Sequence, residues 1–173
     1  MKIQHIEILV LAAQEGKSEA LAALYRHFFN PMKRHAVLRV HDAMVAEDLV
    51  QNVWLKVSKR LRLLQDVRVF RSWLFRALRW EIIDWARQNR AASTDQIEES
   101  HTVIGQPNPE ILDVAPLLAG LKEDERDVIE LFYLNEFSIT ETALALSIPE
   151  GTVKSRLHKA RENLRNNYKS QEQ

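Results

Sequence analysis

Val153, Leu157, Ala160 and Leu164 recur at spacings of four, three and four residues, which draws one narrow apolar stripe along a helix. A helix with such a stripe is held mainly by burying it against a neighbour, so this segment demands a packed helical partner. The partner lies just upstream. Ser138 stands three residues before Glu141, the spacing of a capping box, and Ile139, Ala143 and Leu146 share one face behind it. Ser147-Ile148 makes a short break between the two helices. Pro149 suits a helix start because its missing N–H would be unpaired there anyway. The pattern predicts a helix–turn–helix. Thr152, Ser155 and Lys159 point away from the buried stripe, Arg156 and His158 lie at its edges, and Lys154, Arg161 and Arg165 line one flank. Cationic and hydroxyl side chains on a short second helix suit entry into a DNA major groove. The same pattern also serves as a plain solvated face, and this segment alone leaves both readings open.

The rest of the chain narrows the fold. Glycine occurs only four times in 173 residues and long runs carry the helical period, so the expected class is all-α. Two small helical domains are expected: residues 1–90, then a flexible acidic linker over 91–109, then 110–169 containing the helix–turn–helix, and a frayed tail at 170–173. The formal net charge of zero hides a division. Residues 1–90 carry 16 Lys/Arg against 9 Asp/Glu, residues 91–120 carry 5 acidic residues and no Lys or Arg, and residues 121–173 carry 8 basic against 10 acidic. The basic surplus therefore sits in the first domain, and the overall balance says nothing about nucleic acid.

Within the first domain, residues 8–29 read as one or two helices broken near Gly16, and Pro31 opens the next, which runs to about Val40. Residues 45–63 place Leu49, Val50, Val53, Trp54, Val57 and Leu61 on one face, with Asp48, Gln51 and Asn52 exposed nearby. Residues 64–69 read as a loop. A long helix from Phe70 to about Arg90 puts Phe70, Leu74, Leu78, Ile82 and Trp85 in the core and Arg76, Arg79, Arg87 and Arg90 opposite. Trp73 and Trp80 border that arginine stripe and Ile83 lies within it. Arginines interleaved with aromatics suit single-stranded nucleic acid, because guanidinium groups hold the backbone while rings stack on bases. For Trp73, packing under the preceding loop is the preferred reading, and for Trp80 packing and stacking stand even. In the second domain Pro116 interrupts the first helix, and a helix over 123–134 buries Val128, Ile129, Phe132 and Tyr133.

Absent features exclude other classes. With no cysteine the chain has no disulfide, thiolate metal site or cysteine nucleophile. The six histidines (5, 27, 35, 41, 101 and 158) show no HExxH spacing, and no glycine-rich phosphate loop occurs. No enzyme, catalytic residue, metal, cofactor or small-molecule substrate is expected. No apolar run approaches membrane-spanning length and no signal-peptide core opens the chain, so a cytoplasmic protein is expected.

Three blocks in order resemble the extracytoplasmic-function (ECF) class of bacterial RNA polymerase sigma factors: Ala46-Glu-Asp-Leu-Val-Gln51 with Trp54-Leu55, Phe70-Arg-Ser-Trp-Leu74 through Asp84 and Arg87, and Leu121 to Leu164 with Gly151-Thr-Val-Lys-Ser-Arg-Leu-His158. The resemblance implies binding to core RNA polymerase, through the β′ clamp helices at Asp48, Leu49, Gln51 and Asn52 and through the β flap. It implies capture of the melted −10 element of promoter DNA by a loop at Gln65, Asp66 and Arg68 to Val69, with Arg76, Arg79, Trp80, Ile83 and Arg87 on the single strand. It implies reading of the −35 duplex by Thr152, Lys154, Ser155, Arg156, His158, Lys159 and Arg161. It also implies an anti-sigma factor, of a kind often membrane-bound. Asn52, Trp80, Ser147 and Lys122 depart from the residues usual in the family, and Ser147 replaces a turn glycine. A stand-alone helix–turn–helix regulator with a helical effector domain is the alternative, and it leaves Asp48 and the arginine–tryptophan helix without a role.

Overall fold

A computed structural model of the chain describes residues 3–93 and 114–171. Every regular element among the described residues is helical, and the chain divides into two units, Met1–Gln106 and Pro107–Gln173. The expected acidic linker falls largely on residues 94–113, which lie outside the described residues, as do 172–173 at the tail.

In the first unit, α1 (Ile3–Gln14) breaks at Gly16, whose φ of 93° is a conformation that favours glycine. The Gln14 amide donates to the Leu61 and Leu64 carbonyls at 2.9 and 2.8 Å, fixing α1 to the loop that follows α3. α2 (Ser18–Val40) runs unbroken through Pro31, where the sequence predicts a new helix. An interior proline removes one ladder hydrogen bond and costs about 3 kcal/mol. Tertiary packing outweighs it here, because Leu24, Phe28, Met32 and Ala36 are buried on both sides of the proline. α3 (Ala43–Arg60) starts at Asp42, whose carboxylate accepts from the Met44 and Val45 N–H groups. Its expected core residues Leu49, Val50, Val53, Trp54 and Val57 are buried, as is Leu61 just beyond its end. The helix expected to reach residue 63 ends at Arg60 and passes into a 3₁₀ turn, Leu61–Leu63, and the expected loop over 64–69 contains a second, Val67–Val69.

α4 (Phe70–Ser93) continues past the expected domain boundary at Arg90, since no glycine or proline interrupts it. Phe70, Leu74 and Leu78 are fully buried, whereas Ile82 and Trp85, expected in the core, are only half-buried. The buried face widens near the start of α4 instead, because α4 packs on both α2 and α3. Phe75 thus meets His35 of α2 edge-on at 5.6 Å, and Ser72 is buried as well.

In the second unit, α5 (Ala115–Ala119) carries Pro116 in its first turn, so that proline opens the helix rather than interrupting it. α6 (Glu123–Ile129) passes into a π-turn, Glu130–Leu134. α7 (Ile139–Leu146) and α8 (Glu150–Gln171) complete the unit, with α8 packed on both α6 and α7. The π-turn corrects the expected core. Asn135 N–H donates to the Glu130 carbonyl, five residues back, at 3.0 Å, and this extra residue in the turn rotates the side chains that follow. Leu131 is buried, Phe132 is half-buried, and Tyr133 is 49% exposed.

Candidate nucleic-acid interface

The helix–turn–helix is built from local chemistry. Ser138 Oγ accepts from the Glu141 N–H at 3.1 Å and Glu141 Oε2 accepts from the Ser138 N–H at 2.8 Å, so two orphan donors at the start of α7 are satisfied reciprocally. α7 ends with Ser147 in the left-handed region, at φ 56° and ψ 43°. Ile148 N–H reaches back to the Ala143 carbonyl at 3.1 Å and Ser147 N–H to the Leu144 carbonyl at 3.4 Å, the paired bonds of a Schellman turn. Thr140 Oγ1 donates to Glu150 Oε1 at 2.6 Å, which joins the first turn of α7 to that of α8. The entry angle of α8 is therefore set by the backbone and by one hydroxyl–carboxylate pair.

On α8 the stripe is buried as expected: Val153, Leu157 and Ala160 fully, Leu164 partly. Lys154, Ser155, His158, Lys159 and Arg161 are exposed, and Thr152 and Arg156 are half-buried. These residues do not stand alike. Among the described residues no acidic side chain pairs with Lys154 or Lys159. Ser155 Oγ donates to the Thr152 carbonyl at 3.0 Å, and His158 lies 3.6 Å from Glu162. Arg156 turns inward to Asp124 at 3.4 Å, and Arg161 donates from Nε to the Tyr133 hydroxyl at 2.7 Å.

Beneath α8 lies a buried polar group that the sequence reading missed. Glu130 is fully buried and accepts from Arg126 Nε at 3.0 Å, while Glu125 Oε2 accepts from Asn163 of α8 at 2.8 Å. Glu125, Asp127 and Glu130 look like surface acids in a charge-rich stretch, and only the helix contacts reveal them as interior. A buried carboxylate costs several kcal/mol unless paired; the Arg126–Glu130 pair is made within one helical run, and the Asn163–Glu125 bond joins α6 to α8.

In the first unit, the loop before α4 frames a shallow pocket of about 400 Å³, lined by Arg60, Leu63, Leu64, Gln65, Asp66, Val69 and Trp73. Asp66 caps the second 3₁₀ turn, accepting from the Arg68 N–H at 3.0 Å, and holds the Arg68 guanidinium through both oxygens at 2.9 Å. Those Arg68 hydrogen bonds, the side-chain ones foremost, hold the Asp66 carboxyl below the ordinary carboxylate range. Trp73 forms one wall, which agrees with its expected packing beneath the loop. On α4, Trp80 is 57% exposed, Arg87 is exposed beside Asp84 at 3.2 Å, and Arg76, Arg79 and Ile83 are half-buried.

α3 presents a separate strip. Asp48, Gln51 and Asn52 are exposed together, flanked by the apolar side chains of Met44 and Leu55. The spacing from 44 through 48, 51, 52 and 55 is that of one helix face, a signal available in the sequence that our reading did not use. Leu49 is corrected. At 6% exposure it belongs to the core behind this strip and has no surface to offer. Among the described residues there is no cluster of metal-ligating side chains and no helix long and apolar enough to cross a membrane.

Comparison with known proteins agrees with this division. Residues 24–92 match the family model for Sigma-70 region 2, and residues 112–164 match that for Sigma-70, region 4. Both halves thus fall in the sigma-factor class of transcription initiation proteins, which are not enzymes. The ECF RNA polymerase sigma factor SigL of Mycobacterium tuberculosis is 35% identical over 162 residues, spanning 87% of this chain and 92% of that protein. SigM of Bacillus subtilis, also an ECF sigma factor, is 26% identical over 149 residues, 82% of this chain and 91% of its own. The chain belongs to the ECF sigma factors. Among solved structures it is similar to CnrH in complex with the cytosolic domain of CnrY, with a TM-score of 0.77, 25% identity and coverage of 96% and 98% of the two chains. The fold is also that of the sigma factor RpoE bound to the anti-sigma factor NepR from Bartonella quintana, with a TM-score of 0.67, 24% identity and coverage of 86% and 96%.

Proposed function

We propose that this sigma factor docks on core RNA polymerase through the exposed α3 strip, reads a −35 duplex with α8, and captures the opened −10 strand with the first unit. The α3 strip suits the polymerase clamp because Asp48, Gln51 and Asn52 offer acceptors and amides between two apolar anchors, Met44 and Leu55. In α8, Ser155, His158 and Lys159 face solvent from the first turns of the helix, where side chains reach base edges, and Lys154 and Arg161 suit flanking phosphates. Thr152 and Arg156 frame that surface, Arg156 from its pairing with Asp124.

In the first unit the pocket beside Gln65, Asp66 and Arg68 receives an unpaired base, while Arg76, Arg79, Trp80, Ile83 and Arg87 follow the strand. Unpairing and flipping a base costs a few kcal/mol, and binding the flipped base in a pocket offsets it. Two weak DNA contacts carried on one chain act together, because engagement of the first raises the local concentration of the second. The sigma factor works in the cytoplasm with the polymerase and is held inactive by an anti-sigma factor that covers these surfaces, membrane-anchored in the arrangement frequent in the family.

The observation that carries this reading is α8: Val153, Leu157 and Ala160 of its apolar stripe are buried while Lys154, Ser155, His158 and Lys159 are exposed. Adding the purified chain to core polymerase on a genomic DNA library, and sequencing the 5′ ends of the transcripts, tests it. Start sites preceded by two shared sequence elements are expected. Transcription no different from that of the core enzyme alone would refute the reading.

A further inference from the structure

We propose that Tyr133 is a positioning residue for Arg161, holding its guanidinium ready for a backbone phosphate of the duplex. The inference rests on the reading that α8 docks on DNA. Tyr133 Oη accepts from Arg161 Nε at 2.7 Å, and the guanidinium carbon lies 5.6 Å from the centre of the Tyr133 ring. The hydrogen bond takes the inner N–H of the guanidinium and keeps its charge close to the Tyr133 ring. The terminal Nη hydrogens stay available as the fork that grips phosphate. An unrestrained exposed arginine samples many rotamers and must give them up on binding, whereas one already held loses fewer.

Tyr133 is itself built to do this. The π-turn brings its ring to the surface, against the core position that a regular helix predicts. Phe132 then braces it edge-on, with ring centres 5.0 Å apart at 79°. The Asn135 side-chain amide adds a second bond to the Glu130 carbonyl at 2.9 Å, and Glu130 is fully buried, so the turn is anchored in the interior. Arg161 lies two turns beyond Lys154 on the same flank of α8, and the pair forms a row suited to a phosphate strand. The displaced register of the π-turn thus serves a side chain on a different helix, 28 residues away.

The test is a double-mutant cycle with the full-length chain, using the tightest duplex that the wild type selects from a random-sequence pool, and a scrambled version of it. Tyr133→Phe keeps the ring and removes the hydroxyl. It is expected to weaken binding roughly two- to tenfold on both duplexes, with helicity unchanged by circular dichroism. Arg161→Ala is expected to weaken binding and to lower the slope of log affinity against log salt by about 0.9. Combining the two should give no loss beyond that of Arg161→Ala. If Arg161→Ala leaves affinity and slope unchanged, the phosphate contact itself is refuted, and the role of Tyr133 with it. If Arg161→Ala weakens binding but Tyr133→Phe does not, or if the two losses multiply, the phosphate contact stands and the positioning role is overturned.

Discussion

Ser147→Gly should stabilise the second unit, and the effect follows from one backbone angle. Ser147 occupies the left-handed region at φ 56° with its side chain exposed, at the turn that joins α7 to α8. A residue with a Cβ is disfavoured there by about 1–2 kcal/mol. Glycine relieves that strain but loses more freedom on folding, by about 0.4–1 kcal/mol. The net gain is about 0.5–1 kcal/mol, which for a unit of this size raises Tm by roughly 2–8 °C. The two Schellman bonds from Ser147 and Ile148 involve only backbone and should survive. All four tryptophans, Trp54, Trp73, Trp80 and Trp85, lie in the first unit. The shift should therefore show in far-ultraviolet circular dichroism and in amide exchange of α7 and α8, while the tryptophan emission transition stays put. Ser147→Ala is the control, because alanine keeps the Cβ and so keeps the strain. Equal stabilisation by alanine and glycine, or a lowered Tm for the glycine variant, would refute the argument.

Three further outcomes are expected. Lys159→Ala should weaken binding to the selected −35 duplex by about 1–3 kcal/mol relative to a scrambled one; equal losses on both would contradict a base-reading role. Asp48→Arg should abolish cosedimentation with core polymerase while changing stability by no more than about 0.5 kcal/mol, since Asp48 is exposed; retained binding would remove α3 from the interface. Arg126→Leu should destabilise the second unit by about 3 kcal/mol in urea titration, at the lower end for a broken buried pair because Arg126 is partly exposed at 18%. A loss under about 1 kcal/mol would mean that Glu130 finds full compensation elsewhere.

Where the sequence reading succeeded, the determining forces were local. The α3 and α8 stripes and the Ser138–Glu141 box each depend on residues within a few positions of one another. Such features survive translation from a wheel to a structure because the helical period is the same in both. The reading failed where one helix met another. Pro31 sits inside α2 because the core on either side of it holds the helix together, and Phe75 is buried because α2 lies against that face of α4.

The amino-acid order alone thus determined an all-helical chain in two parts, a helix–turn–helix in the second, and most of the side chains its last helix exposes, since period and capping are properties of neighbouring residues. Tertiary structure decided how those side chains are held. It tied Arg156 to Asp124 and Arg161 to Tyr133, and it set the buried Glu125 carboxylate against Asn163 of α8. Each of these is a contact between residues far apart in the chain. Whether a charged group is free, paired or buried depends on what the fold brings within a few ångströms of it, and no spacing along the chain carries that information.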